Sequence, residues 1–121
     1  MIRVLLLALL LTGCASRDVP ARRWLAPPGA LQGLELVALD RWSGGGVNGG
    51  VSASFLELRC ARPTWPWLRV RRPYWPGPEW RGAVTWGLGR VVYTPGWATS
   101  STVKALTFTE ADLRRLERCR R

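Results

Sequence analysis

The apolar residues of this chain fall into a few well-marked groups. The first is an unbroken run from Val4 to Leu11, preceded by a single basic residue, Arg3, and followed by Thr12-Gly13-Cys14. A basic start, a short apolar middle and small residues at the end form the layout of a secretory signal peptide. The run is too short to cross a bilayer, which takes about 20 apolar residues. Residues 15–32 lack any periodicity and contain Pro20, Pro27, Pro28 and Gly29, so they predict a flexible tether with neither helix nor strand. Leu34 to Trp42 is apolar on both alternations and predicts the first strand. The glycine-dense stretch from Ser43 to Gly50 predicts a hairpin connection, and Val51 to Cys60 the returning strand, with Phe55, Leu56 and Leu58 as core residues.

Residues 63–81 alternate proline, tryptophan and arginine. In extended conformation Trp65, Trp67, Arg69 and Arg71 share one face, opposite Leu68 and Val70, and Pro66 confines such a strand to a sheet edge. The stretch from Pro73 to Pro78 predicts a structured loop. Ala83 to Thr94 reads as one long strand with Val84, Trp86, Leu88 and Val92 on a common face, ended by a Pro95-Gly96 turn of type II. Thr102 to Phe108 predicts a short last strand. Thr109 then caps a helix, with Asp112 in the place of the usual Glu or Gln of a capping box and Leu113, Leu116 and Cys119 on its apolar stripe. These elements predict an α+β fold, a small and mainly antiparallel sheet of about four or five strands with one C-terminal helix.

Leu11-Thr12-Gly13-Cys14 resembles the lipobox of bacterial lipoproteins, in which the cysteine is lipidated and becomes the first residue of the mature protein. The resemblance covers residues 1–14. It implies a signal peptide at 1–13, lipidation of Cys14 followed by the tether to residue 32, and a single globular domain at 33–121. A thiolate is a soft nucleophile suited to carrying a diacylglycerol thioether, and two or three acyl chains anchor stably where one is marginal. Ala15, in place of the Asp that retains such proteins at an inner membrane, favours an outer membrane facing the periplasm where the source has two membranes.

Charge and cysteine usage refine this picture. The chain carries 18 basic and 8 acidic residues, a formal net charge of +10. Loss of Arg3 with the signal leaves +9, which attracts anionic lipid or the anionic polymers of the envelope, peptidoglycan among them. Nucleic acid is a poor partner for an exported chain. Eight tryptophans exceed what a domain of this size can bury. They either shield a thin core or offer a half-wet surface, so Trp65, Trp67, Arg69 and Arg71 form either a binding surface or a self-contained structural cluster. With Cys14 lipidated, Cys60 and Cys119 remain as a disulfide or as two free thiols.

The chain has no histidine, which removes Ser-His-Asp and Cys-His catalysis and the common zinc sites, and no local motif pairs its carboxylates. No cofactor or metal is expected, and no enzymatic activity. Gly82 to Tyr93 looks like the strand before the zinc-binding helix of some small peptidase-like domains, which would make the chain a truncated or inactive relative lacking His-Glu-x-x-His. A phage-type spanin lipoprotein is a further alternative, opposed by the patterned strands. A lysozyme inhibitor is disfavoured, because a basic chain repels a basic enzyme. The leading expectation is a small cell-envelope lipoprotein with a non-catalytic structural or binding role.

Overall fold

A computed structural model describes residues 16–44, 49–62, 65–75, 79–96 and 104–120. Cys14 and the signal segment lie outside these residues. The described chain is an α+β structure of two antiparallel sheets and one short helix. Strands β1 (Arg17–Leu25), β2 (Leu34–Ser43), β3 (Gly50–Cys60) and β4 (Arg69–Pro73) form the first sheet in that order. Strands β5 (Ala83–Trp86), β6 (Val91–Thr94) and β7 (Leu106–Phe108) form the second. The helix spans Glu110–Arg115 and continues through Leu116 into a 3₁₀ turn at Glu117–Arg120.

The doubly apolar segment read as the first strand is β2, at the centre of the large sheet, and its residues Leu34 to Leu39 are all buried. Alternation sends them to two faces. Leu34, Leu36 and Ala38 join Leu56, Leu58 and Val70 on the side that meets Val91, Tyr93 and Phe108 of the second sheet and Leu113 and Leu116 of the helix. The Tyr93 ring is the hub of this core, 5.4 Å from Trp24, 5.3 Å from Tyr74 and 5.9 Å from Trp80 between centroids. Its hydroxyl accepts the Gly82 N–H at 2.9 Å, and a side chain at Gly82 would collide with that ring. Trp80 is fixed from both sides. Its indole N–H donates to Asp40, while its carbonyl accepts from Arg22 at 2.7 Å.

Four expectations are corrected. Residues 17–25, expected within a tether, form β1, hydrogen-bonded to β2 along its length. The strand is mostly exposed and therefore lacks an apolar alternation. Its proline is accommodated because β1 is an edge strand whose register shifts between Pro20 and Arg22. Residues 83–94, expected as one strand, are the β5–β6 hairpin. Gly87 and Gly89 sit in its turn, closed by the Gly87 N–H donating to the Arg90 carbonyl at 2.9 Å, and Leu88 projects to solvent. The buried residues beyond the turn are accordingly Val91 and Tyr93 rather than Val92. Gly96 lacks the positive φ that a type II turn needs. Finally, β4 begins at Arg69, so Trp65, Pro66 and Trp67 belong to the turn before it, where the Leu68 N–H donates to the Trp65 carbonyl.

The helix start follows the residues that announce it. Thr109 and Asp112 form the reciprocal capping box, and Asp112 also accepts both oxygens' worth of hydrogen bonding from Arg72 of β4, at 2.9 and 2.8 Å. At the other end the sulfurs of Cys60 and Cys119 lie at bonding distance, with Cα atoms 4.8 Å apart. Gly33 makes that approach possible. Its φ is +98° and a Cβ there would run into the Cys119 carbonyl.

Reducing the Cys60–Cys119 bond is expected to lower the unfolding free energy by about 2–5 kcal/mol, read as a shift in the urea midpoint between oxidised and reduced samples.

Candidate functional site

The second face of the large sheet carries the site. Val37, Leu39, Glu35 and Glu57 on it are all at most 5% exposed. The registers set Glu57 beside Arg71 and Arg59 beside both Arg69 and Glu35, all pointing the same way. Buried carboxylates need partners, and here they form one connected chain. Arg59 donates to Glu35 at 2.8 Å and to Glu57 at 3.0 Å. Arg71 donates to Glu57 at 3.0 Å and to Asp18 at 2.8 Å, and Arg41 completes the chain on Asp18 at 2.9 Å. Strands β1 and β4 would stand about 14 Å apart in a flat sheet, so the Arg71–Asp18 contact requires the sheet to curl toward this face. Phe55 lies under the chain, with the Arg41 and Arg71 guanidiniums 4.7 and 5.4 Å from its ring centroid. It was expected in the core with Leu56, but its odd position in β3 puts it on this second face.

Electrostatics follows the contacts. The hydrogen bond from Arg41, with that from Arg71, holds the Asp18 carboxyl below its ordinary value of 3.8 against a smaller opposing effect of burial. Burial disfavours the charge on Arg59, but hydrogen bonds to Glu35 and Glu57 outweigh it and raise its pKa. On the core face burial acts on Asp112 in the opposite sense to Arg72 and Thr109, and the latter win, so that its pKa is lowered from 3.8.

A cavity of about 360 Å³ opens at the Leu25–Glu35 end of this face. Glu35, Glu57 and Arg59 form its floor, and Arg23, Arg62, Arg69, Trp65 and Pro66 its walls. Among the described residues Arg23 and Arg62 make no ion pair, and Arg69 reaches Glu57 only at 3.8 Å with its side chain half exposed. Three arginines thus line a space whose own carboxylates already hold closer partners. Trp65 packs edge-on to Trp67, ring centroids 5.6 Å apart, and Arg118 lies 5.8 Å from the Trp65 ring.

No family model matches the chain, and no curated protein or solved structure is similar to it.

Of the four residues expected to share one face, the structure brings Trp65 and Arg69 to the cavity. Trp67 packs edge-on to Trp65 and is 64% exposed, outside the cavity wall. The Arg71 guanidinium is committed to Glu57 and Asp18. Arg23, Arg62, Glu35, Glu57 and Arg59 were missed. For Glu57 and Arg59 the signal was present, since they alternate with Leu56 and Leu58 in β3. Arg23 was hidden in the supposed tether. Among the described residues no cluster of three metal-ligating side chains occurs. Chemically the site offers planar bidentate donors for a carboxylate or phosphate and an indole wall for an apolar or sugar face.

Replacing Glu57 by Ala would strand guanidiniums on a buried face and is expected to cost about 3–5 kcal/mol, measured by urea unfolding. Glu110→Ala, which removes an exposed helical pair with Arg114, is expected to cost no more than about 0.5 kcal/mol. Because the folded-state pKa values of Asp18 and Asp112 are lowered, their stabilisation is complete above the unfolded value near 3.8 and is lost as pH falls through the folded values. Thermal stability should therefore be flat from neutral pH to about 5 and fall below 4, and in Asp112→Asn the acid loss should be smaller.

Proposed function

We propose that the chain is a small lipid-anchored protein of the cell envelope that binds an anionic envelope component and catalyses no reaction. The observation that carries the binding role is that Arg23, Arg62 and Arg69 line a cavity whose two carboxylates are already paired. Like charges held together at a surface repel, and an anion with planar oxygens relieves that repulsion while taking up bidentate hydrogen bonds. The address rests on the resemblance of Leu11 to Cys14 to a lipobox, with the acyl chains on Cys14 as the anchor. In a cell with two membranes Ala15 favours the outer one. The absence of histidine and, among the described residues, of any carboxylate pair left free in the cavity supports a binding role over hydrolysis. Peptidoglycan and phosphate-bearing lipids are the anions such a location offers.

The combined variant Arg23→Gln, Arg62→Gln, Arg69→Gln is expected to lower binding to purified peptidoglycan or to anionic vesicles at least about tenfold at low salt, with no loss of thermal stability. Binding by the parent should weaken as salt rises, because screening acts within about 8 Å at physiological ionic strength. Unchanged binding by the folded variant would end this reading. Cys14→Ser is expected to abolish acyl labelling and to release the protein from the membrane fraction.

A further inference from the structure

We propose that the end of the large sheet where β1 begins lies against the head-group layer of the bilayer that holds the lipid, with Arg17, Trp42 and Trp75 as its contacts. This inference rests on the reading of Cys14 as acylated and adds an orientation to it. Only Ala15 and Ser16 stand between Cys14 and Arg17, the first residue of β1. Three steps along an extended chain cover at most about 11 Å, comparable to one head-group layer, which is about 5–8 Å deep. The spacer therefore keeps Arg17 within a few ångströms of the head-group surface.

Pairing then brings its neighbours down with it. Arg17 is the cross-strand partner of Trp42, at the close of β2, and Trp42 is 45% exposed although it sits within a sheet. The Tyr74 N–H donates to the Ser54 carbonyl and carries the β4 edge on toward the same end, where Trp75 is 59% exposed. Indoles settle at the head-group level, where an apolar ring and a polar N–H are both satisfied. Arg17 makes no ion pair among the described residues and is free to meet lipid phosphate. The cavity walls, Arg23 and Arg62, lie toward the opposite end of the strands, so the anion site opens away from the bilayer.

The test uses the full lipidated protein, reconstituted in phospholipid vesicles that contain a head-group spin-labelled lipid as quencher. A single fluorophore is placed at Trp42→Cys or at Leu25→Cys, with the Cys60–Cys119 bond kept oxidised. These positions are exposed and occupy opposite ends of β1 and its partner β2. A third probe at Ser52→Cys, an exposed residue beside Arg41, reads the proximal end without removing an indole. Mass spectrometry of each sample records the acyl group on Cys14. The ends of β1 are about 26 Å apart, so quenching at positions 42 and 52 should exceed that at 25 by at least about threefold. Equal quenching at all three positions in acylated protein would overturn the orientation and leave the anchor standing. Absence of the acyl mass would overturn the anchor and the orientation together.

Discussion

Six consecutive buried residues in β2, Leu34 to Leu39, set the terms for everything around them. A strand buried on both sides needs two covers, and this chain supplies two of different chemistry. On one side a compact hydrocarbon and aromatic cluster closes around Tyr93. On the other, Val37 and Leu39 share their layer with Glu35 and Glu57, whose charges demand guanidinium partners at close range. The curl of the sheet and the reach of Arg71 from one edge to the other are consequences of that demand. The cationic cavity follows as well: Arg59 and Arg71 are held by the buried acids, and the arginines beyond them remain available.

How much of this was legible depended on how each element announces itself. The centre of the large sheet was readable because β2 and β3 are apolar and bounded by glycine. The helix was readable because Thr109 and Asp112 write a capping box in four residues. The β1 strand was not, because an exposed edge strand gains its stability from pairing with β2 and carries no apolar alternation of its own. The 83–94 hairpin was misread because alternation survives in name across a four-residue turn, and two glycines opposite apolar residues look alike whether they ease packing or turn the chain. The Trp–Arg segment was half legible. Alternation placed Arg69 and Arg71 together on one face, but only the three-dimensional pairing of Glu57 and Asp18 with Arg71 distinguishes a structural arginine from an available one.

The tryptophans divide between the two roles open to them. Trp80 is in the core with its N–H on Asp40, while Trp24, Trp65 and Trp86 are half buried at the margins. Trp42, Trp67 and Trp75 stand at the surface. Among the described residues the core buries one indole, whose polar atom finds the half-buried Asp40 as acceptor. The other described tryptophans keep part of their surface exposed, which leaves aromatic surface at both ends of the large sheet.

The link between Cys60 and Cys119 spans 59 residues, about half of the chain, and encloses β4, the second sheet and the helix within one loop. Closing so long a loop before its contacts exist costs entropy that only the finished core repays. Before oxidation, the helix end is held at Gly33 by packing alone. Oxidation therefore fixes one junction, between the close of β3 and the end of the helix, and through it the two ends of the loop that holds half of the chain.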